Sequence, residues 1–256
     1  MPAGTIEIIS EDDSFLAINK PPGMETIAIG RHEGDQRYCL TSCCRAALRL
    51  ETISPAHRLD RGTSGVQIFA KTAVALARLE RAFRRRQVEK LYFALCLGVP
   101  ANAEGVIRRN LSDWGGGRRP VQVVKGKGGF AAQSHYRLLA KGWLAANAAG
   151  GRQMPEVPPA CEVSFLLWQP REGRTHQIRV HAAAFGYPIL GDDQYGNRPA
   201  NRLAKETCNL RRQALHCWRM SFPHPQTGAI VKVEAPMPAD MRAALAACAI
   251  SSWRFA

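Results

Sequence analysis

Residues 57–65 read His57-Arg58-Leu59-Asp60-Arg61-Gly62-Thr63-Ser64-Gly65, and the apolar run 66–70 follows at once. A polar segment with turn glycines that leads into an apolar run predicts a loop feeding a buried strand. Asp60 stands between Arg58 and Arg61, and nearby guanidinium groups keep a carboxylate ionised. An ionised, oriented carboxylate suits a nucleophile or an electrostatic stabiliser. The alternative is an ordinary loop aspartate in an ion pair or an Asx turn.

A second polar segment reads Gly173-Arg174-Thr175-His176-Gln177-Ile178-Arg179-Val180-His181. We predict a helix from Thr175 to Phe185 that is closed by Gly186, since glycine is the commonest residue just beyond a helix C-terminus. Residues four apart share a helix face, so Arg179 lies on the side of Thr175, one turn inside the helix. That position suits an arginine that reaches an acid elsewhere in the fold, although a surface cation is the more common role.

The remaining pattern mixes short strands with scattered helices, which predicts an α+β fold rather than alternating βαβ units. A hairpin is expected at the N-terminus, and a helix beginning after Thr72, which can cap it. Residues 145–159, rich in Ala, Gly and Pro, are expected to form a loop. The predicted strands are 5–10, 15–20, 66–70, 91–97, 131–139, 161–168, 218–222 and 230–234, and the other predicted helices are 40–50, 73–87 and 239–247.

The composition favours a polyanionic partner. The 256 residues include 35 Lys and Arg against 21 Asp and Glu, a formal net charge of +14. No apolar run reaches the roughly 18 residues needed to span a bilayer. The first residues run into the acidic Glu11-Asp12-Asp13, unlike a secretory signal, so we expect a cytoplasmic protein with reduced cysteines.

Two stretches concentrate the positive charge. The helix after Thr72 ends in Arg81, Arg84, Arg85 and Arg86, more cations than a helix end needs. Phosphate contact and a plain solvated face are both open interpretations. Residues 108–129 hold six Arg and Lys against one acid and are rich in glycine. We predict a mobile basic segment that follows a phosphate backbone, with a solvated hairpin tip as the alternative.

Metal and hydrolase sites are disfavoured. The eight cysteines include no Cys-x-x-Cys pair. His57, Asp60, His176 and His181 could be grouped as ligands, but a spacing of five does not place two histidines on one helix face. Ser64 lacks the Gly-x-Ser-x-Gly turn of a hydrolase nucleophile.

The two polar segments, in this order, resemble the signatures of RluA-type pseudouridine synthases. An HRLDxxTSG signature matches residues 57–65 without a mismatch. The remaining matches are Lys90-Leu91-Tyr92 to K-x-Y, residues 173–181 to GRTHQIRVH, 186–196 to G-x-P-I-x-GD-x-x-YG, 11–13 with 19–23 to the N-terminal hairpin, and 215–216 with 222–225 to a late block.

The resemblance implies cofactor-free and metal-free conversion of uridine to pseudouridine in RNA. Asp60 would be the nucleophile, Tyr92 would stack on the uracil, and Arg179 would pair with Asp60. Arg58 would fill the gap left by the flipped nucleotide. The implied fold is a mixed, mostly antiparallel central sheet with flanking helices and a central active-site cleft. Further RNA contacts are expected from Arg61, Arg84, Arg85, Arg86, Arg174 and His176.

The resemblance also frames the expected substrate and organisation. Many relatives carry an N-terminal S4 domain, whereas here the hairpin begins near residue 5, so we expect one catalytic domain over residues 1–256. Substrate choice would then depend on residues 24–54, 108–129 and 197–213, and tRNA is favoured over rRNA. We expect RNA rather than DNA or membrane as partner, and a monomer. The competing hypothesis is an RNA-binding or RNA-folding protein that has lost catalysis.

Overall fold

The computed structural model describes residues 6–28, 39–113, 120–124, 126, 128–145 and 160–253. Its strands are β1 (Ile8–Glu11), β2 (Phe15–Lys20), β3 (Ser54–Pro55), β4 (Ser64–Ala70), β5 (Glu89–Leu97), β6 (Glu104–Arg108), β7 (Gln133–Ala145), β8 (Ala160–Pro170), β9 (Leu215–Pro223) and β10 (Ile230–Glu234). Its helices are α1 (Leu40–Leu48), α2 (Ala73–Arg84), α3 (Gln177–Ala184), α4 (Arg198–Cys208) and α5 (Ala239–Ala247). The predicted α+β class with mostly antiparallel strands is confirmed.

The chain divides into two compact units. The described residues of Met1–Lys90 and Cys217–Pro236 form the first, and those of Leu91–His216 and Met237–Ala256 form the second. The expectations of a single catalytic domain without an S4 domain, and of a central cleft, stay predictions. None of the helices in the described ranges is long and apolar enough to cross a membrane.

In the first unit, the strands follow the order β1-β2-β4-β9, with β3 also paired to β4 and β10 to β9. The predicted N-terminal hairpin is confirmed as β1 and β2, and β4 is buried along its whole length. α1 adds Leu40 and Cys44 to a core with Leu16, Ile18 and Phe69. This core supports the strand into which the Asp60 loop leads.

Gly65, at the start of β4, is required by a close approach to β9. Its φ is 111°, and a Cβ there would lie 2.1 Å from the carbonyl oxygen of Cys217. No side chain fits in that distance, so the glycine of the predicted loop sets how closely the two strands approach.

α2 begins where the sequence predicted. The Thr72 hydroxyl accepts a hydrogen bond from the Ala75 N–H at 3.1 Å, which confirms the cap. The helix ends at Arg84, and Arg86 adopts a left-handed φ of 58°.

In the second unit, the antiparallel strands lie in the order β5-β8-β7-β6. β7 runs to Ala145, beyond the predicted end at Leu139, because a register shift between Leu138 and Ala140 breaks the alternation that marks a strand. Ala145 therefore belongs to β7, and residues 146–159 of the predicted loop lie outside the described ranges.

Two elements of this unit were missed in the sequence. β6 is short and buries only Ile107, so it leaves little periodic pattern. α4 buries Ala200, Leu203 and Ala204, and its start carried signals that were overlooked, a capping Asn197 and Pro199 in the first turn.

The prediction of a mobile segment over residues 108–129 is wrong for its described residues. Leu111 and Val121 are buried and pack with Ala132 and Val180. Backbone hydrogen bonds from Ser112 N–H to the Gln122 carbonyl at 2.8 Å, and from Val124 N–H to that of Asn110, close the segment on itself. The charges and glycines of the segment suggested mobility, whereas its few apolar residues are buried and hold it in place.

Candidate active site

The Asp60 loop presents alternate residues to solvent. Leu59 is buried, whereas Arg58 is exposed and Asp60 is half-buried. A tight turn follows, in which the Thr63 N–H donates to the Asp60 carbonyl at 3.0 Å. The buried Thr26 hydroxyl accepts a hydrogen bond from the Leu59 N–H at 3.2 Å, which fixes the backbone next to Asp60.

His57 anchors the start of the loop. Its Nε2 accepts a hydrogen bond from the Ile68 N–H at 3.0 Å, and its ring packs on Phe83 with 5.1 Å between centroids. Burial, with a smaller effect of the Lys90 charge, lowers the pKa of His57 to about 3. The imidazole is therefore neutral at ordinary pH and serves the loop as a structural hydrogen-bond acceptor.

Lys20 fastens the loop to the N-terminal turn. This fully buried side chain donates from Nζ to the carbonyls of Pro21 (3.0 Å), Met24 (2.6 Å) and Arg61 (3.3 Å). Arg61 in turn donates from Nε to the Gly23 carbonyl at 3.0 Å, and the Gly23 N–H donates back to the Arg61 carbonyl at 2.8 Å. Arg61, predicted as an RNA contact, thus also has a structural role.

The other basic residues predicted in this unit lie on its surface. Arg84, Arg85 and Arg86 are all exposed at the end of α2. Arg84 forms a 3.5 Å ion pair with Glu80, and both side chains are exposed, so the pair contributes little to stability. Their contact with phosphate groups stays a prediction.

Arg179, in the second unit, is held by a partner that the sequence reasoning missed. Its Nε donates to Asp192 Oδ2 at 2.7 Å and its Nη2 donates to Asp192 Oδ1 at 2.8 Å. Both side chains are buried, with 8% and 1% exposed. Asp192 Oδ1 also accepts from the backbone N–H groups of Gln194 and Tyr195. Arg179 is therefore a buried, oriented cation and not a surface one.

Tyr195 connects this pair to two other segments. The Arg179 guanidinium lies 5.0 Å from the centre of its ring. Its hydroxyl accepts from the Val121 N–H at 3.0 Å and lies 2.9 Å from His176 Nδ1. Because the hydroxyl has one proton of its own, we assign His176 Nδ1 as its acceptor. His176, predicted as an RNA contact, is thus tied to the same network.

A buried polar network fixes α3 itself. Gln177 Oε1 accepts from the N–H groups of Gly173 (3.0 Å) and Arg174 (2.9 Å), and its Nε2 donates to the Gln133 carbonyl.

His181 Nε2 lies 3.1 Å from the Arg109 carbonyl and must donate to it, so Nδ1 accepts from the Ser134 hydroxyl. Burial lowers the pKa of His181, which keeps this tautomer neutral.

The start and end of α3 follow from local backbone geometry. His176 has a left-handed φ of 56°, so the helix begins at Gln177, two residues later than predicted. Gly186, with φ of 94°, ends it as predicted.

Tyr92 lies in β5 directly opposite Trp168 of β8. It is 9% exposed, and its predicted stacking on uracil stays a prediction. The structure groups Arg174, His176 and Arg179 in the second unit with Tyr92, and Asp60 with Arg58 and Arg61 in the first. The pairing of Arg179 with Asp60 stays a prediction.

The residues proposed as a metal group are engaged otherwise. His57 and His181 each have the hydrogen bonds given above. Throughout the described ranges, no three His, Cys, Asp or Glu residues are arranged to hold a metal ion. All eight cysteines are free thiols, and burial raises the pKa of Cys44 to about 12.

Comparisons with known proteins agree on one family. A family model described as RNA pseudouridylate synthase matches residues 14–184. The chain is 34% identical over 253 residues to the ribosomal large subunit pseudouridine synthase D of Nitrosomonas europaea, covering 94% of this chain and 65% of that protein. It is 34% identical over 230 residues to the dual-specificity RNA pseudouridine synthase RluA of Escherichia coli, covering 90% and 92%.

The fold is shared with a solved structure, human RNA pseudouridylate synthase domain containing 1, at a TM-score of 0.70 and 24% identity, covering 92% of this chain and 85% of that one. The chain spans less than two thirds of the length of several curated relatives, 59% for a Neisseria meningitidis protein. The matches include both the Asp60 loop and the helix that carries Arg179, so the chain belongs to the RluA-type RNA pseudouridine synthase family.

Proposed function

We propose that the protein is a cofactor-independent pseudouridine synthase that isomerises selected uridines in structured RNA. The observation that carries the proposal is the Asp60 loop. Asp60 is half-buried, and the backbone of its loop is fixed by Lys20, Thr26 and His57. A nucleophile held in one orientation avoids the entropy cost of finding its target.

The reaction needs no external reagent. The bond between uracil N1 and ribose C1′ breaks, the uracil rotates, and a bond forms between C5 and C1′. C5 loses a proton in this exchange and N1 gains one. Substrate and product are isomers, so nothing is oxidised or reduced. We assign Asp60 as the nucleophile, Tyr92 as the ring that stacks on the uracil, and Arg179 as the cation that keeps Asp60 ionised.

The Arg179 geometry supports that role. Its Nε and Nη2 donate to Asp192, so the ion pair fixes the direction of the guanidinium. A cation that is itself paired and buried has a fixed direction, which is what electrostatic preorganisation requires.

A uridine inside folded RNA must leave its stack before its glycosidic bond can be reached. We expect the exposed Arg58 to occupy the gap that the flipped nucleotide leaves. The net charge of +14 would supply affinity for the RNA backbone that does not depend on sequence.

Two RNA classes are candidates. The family resemblance of the sequence favours tRNA, whereas the names of several relatives refer to the ribosomal large subunit. Release of tritium from RNA labelled at uracil C5 tests both. Bulk tRNA and rRNA transcripts, assayed separately, should give release from at least one pool. RNA binding with no release from either would favour the RNA-binding protein without catalysis.

A further inference from the structure

We propose that Phe130 and Arg174 form a stacking platform for an unpaired nucleobase of the RNA substrate. This inference rests on the proposed function, because it names a contact of the same RNA. It adds a residue, Phe130, to which neither the family signatures nor the active-site assignment gave a role.

The geometry of the pair is the first support. The Phe130 ring is 47% exposed, and the Arg174 guanidinium carbon lies 5.1 Å from its centre. Single exposed hydrophobic residues are common on protein surfaces, so exposure alone would mean little. Here a ring and a planar cation are stacked, and both kinds of surface stack on nucleobases. No carboxylate among the described residues pairs with Arg174.

The backbone that presents Phe130 is rigid. Its N–H donates to the Leu111 carbonyl at 2.8 Å, and the Leu111 N–H donates to its carbonyl at 2.9 Å. Leu111 is 1% exposed and packs with Val121, Ala132 and Val180. The residue before Phe130 is Gly129, where a Cβ would lie 2.6 Å from the Leu111 carbonyl oxygen. The ring therefore stands on a fixed support and loses little entropy when a base stacks on it.

Arg174 is equally well placed. Its N–H donates to the buried Gln177 side chain at 2.9 Å, and its carbonyl accepts from the Gln177 N–H at 3.0 Å. Gln177 is the first residue of α3, two positions before Arg179. The platform thus adjoins the helix that carries the proposed catalytic cation.

Exposed arginines flank the platform along the chain. The Arg109 N–H donates to the carbonyl of Ala132, two residues after Phe130, and the Arg171 N–H donates to that of Gln133. Both arginine side chains are exposed. A stacking aromatic among phosphate-binding cations is the usual composition of a site for single-stranded nucleic acid. Bases inside a duplex already stack on each other, so the occupant is an unpaired base, as in a loop.

A fluorescence titration tests stacking directly. In Phe130→Trp the new indole should be quenched when single-stranded oligoadenylate binds, beyond the change seen in the wild type. Duplex RNA of equal length should cause no such extra quenching. Equal quenching in variant and wild type would overturn the proposal.

Affinity measurements separate stacking from charge. Phe130→Ala should weaken binding of the same oligonucleotide about five-fold or more while leaving the slope of log K against log salt unchanged. Phe130→Tyr should restore the affinity, and Arg174→Ala should lower the slope by about one. Trp143→Ala, at an exposed aromatic in β7, is the matched control and should bind like the wild type. A Phe130→Ala protein that binds like Trp143→Ala would refute the platform.

Tritium release by the wild type keeps the two proposals apart. Turnover by the wild type together with unaltered binding by Phe130→Ala would reject the platform alone. Absence of turnover with the predicted quenching would reject the activity and keep the platform.

Discussion

At the scale of single residues, the Arg179–Asp192 pair is expected to contribute most to the free energy of unfolding. Both partners are buried, and two parallel hydrogen bonds of 2.7 and 2.8 Å join them. Removing one partner of such a pair leaves a buried charge without compensation, which costs far more than losing a surface ion pair.

Asp192→Asn should therefore lower the free energy of unfolding by about 3 kcal/mol or more and reduce turnover strongly. Asp193→Asn, the exposed neighbour, is the matched control and should stay within about 0.5 kcal/mol of the wild type. Urea unfolding of the three proteins measures the difference. Equal midpoints for both variants would mean that the pair contributes nothing to stability.

His57 predicts a dependence of stability on pH. Its folded-state pKa of about 3 lies below the 6.5 of an ordinary histidine, so the unfolded chain takes up a proton first as the pH falls. The free energy of unfolding should thus decrease from about pH 6.5 towards pH 3, by up to about 1.4 kcal/mol per pH unit from this group. The stability that the neutral ring contributes is complete above that window.

His57→Gln keeps an acceptor for the Ile68 N–H but cannot take up the proton. Its stability should fall less steeply over the same pH range in urea titrations. His135→Gln, an exposed histidine of β7, is the control. The assignment fails if His57→Gln shows the slope of the wild type.

The sequence identified residues by local chemistry and missed their distant partners. Asp60 stands out because two arginines adjoin it in the chain. Asp192 does not, because its partner Arg179 lies 13 positions away, and the contact of Lys20 to the Asp60 loop spans 41 positions. Asp192 was within a recognised signature, but a role for it required the fold.

At the scale of elements, Gly65 and Gly23 distinguish two costs of adding a side chain, backbone strain and a steric clash. Both have positive φ, 111° and 84°, but a Cβ on Gly65 would collide with β9, whereas that on Gly23 would meet nothing within 4 Å. Gly23→Ala should cost about 1 kcal/mol of backbone strain. Gly65→Ala should cost clearly more, by about 1–3 kcal/mol for the forced shift of strands. Equal thermal unfolding midpoints would contradict the close approach of β4 and β9.

The end of α2 gives a prediction about RNA binding. Replacing Arg84, Arg85 and Arg86 by alanine should weaken binding and flatten its salt dependence by roughly 0.9 units of slope per lost phosphate contact. Filter binding of tRNA at several salt concentrations measures the slope. Replacing the exposed Lys141 of β7 and Lys232 of β10 by alanine controls for the loss of positive charge elsewhere on the protein. An unchanged slope would mean that the three arginines form a solvated helix end that does not contact phosphate groups.

Elements were predictable where periodicity was strong. α2, α5, β2 and β10 appear close to their predicted positions. The Thr72 cap marks α2, and β2 is a short apolar run that is buried along most of its length. β6 and the folded part of residues 108–129 escaped detection because each rests on only a few buried side chains. α4 escaped detection although Asn197 and Pro199 mark its start. The helix at α3 was found, but its left-handed start at His176 has no signal in composition.

At the scale of the whole molecule, the excess of 14 positive charges indicated a polyanionic partner, either nucleic acid or an anionic membrane surface, before any element was placed. Charge identifies the class of partner but not the chemistry performed on it. The α+β class followed from the mixture of elements, whereas the strand order within each unit required the structure.

The most direct test of the central claim is tritium release from C5-labelled RNA by wild type, Asp60→Asn and the exposed control Asp13→Asn, with EDTA present. We expect wild type and Asp13→Asn to release tritium alike, and Asp60→Asn to release none while its RNA affinity stays within a few-fold. Because no metal takes part in the proposed reaction, EDTA should change nothing. Substantial turnover by Asp60→Asn would contradict the assignment of Asp60 as the nucleophile.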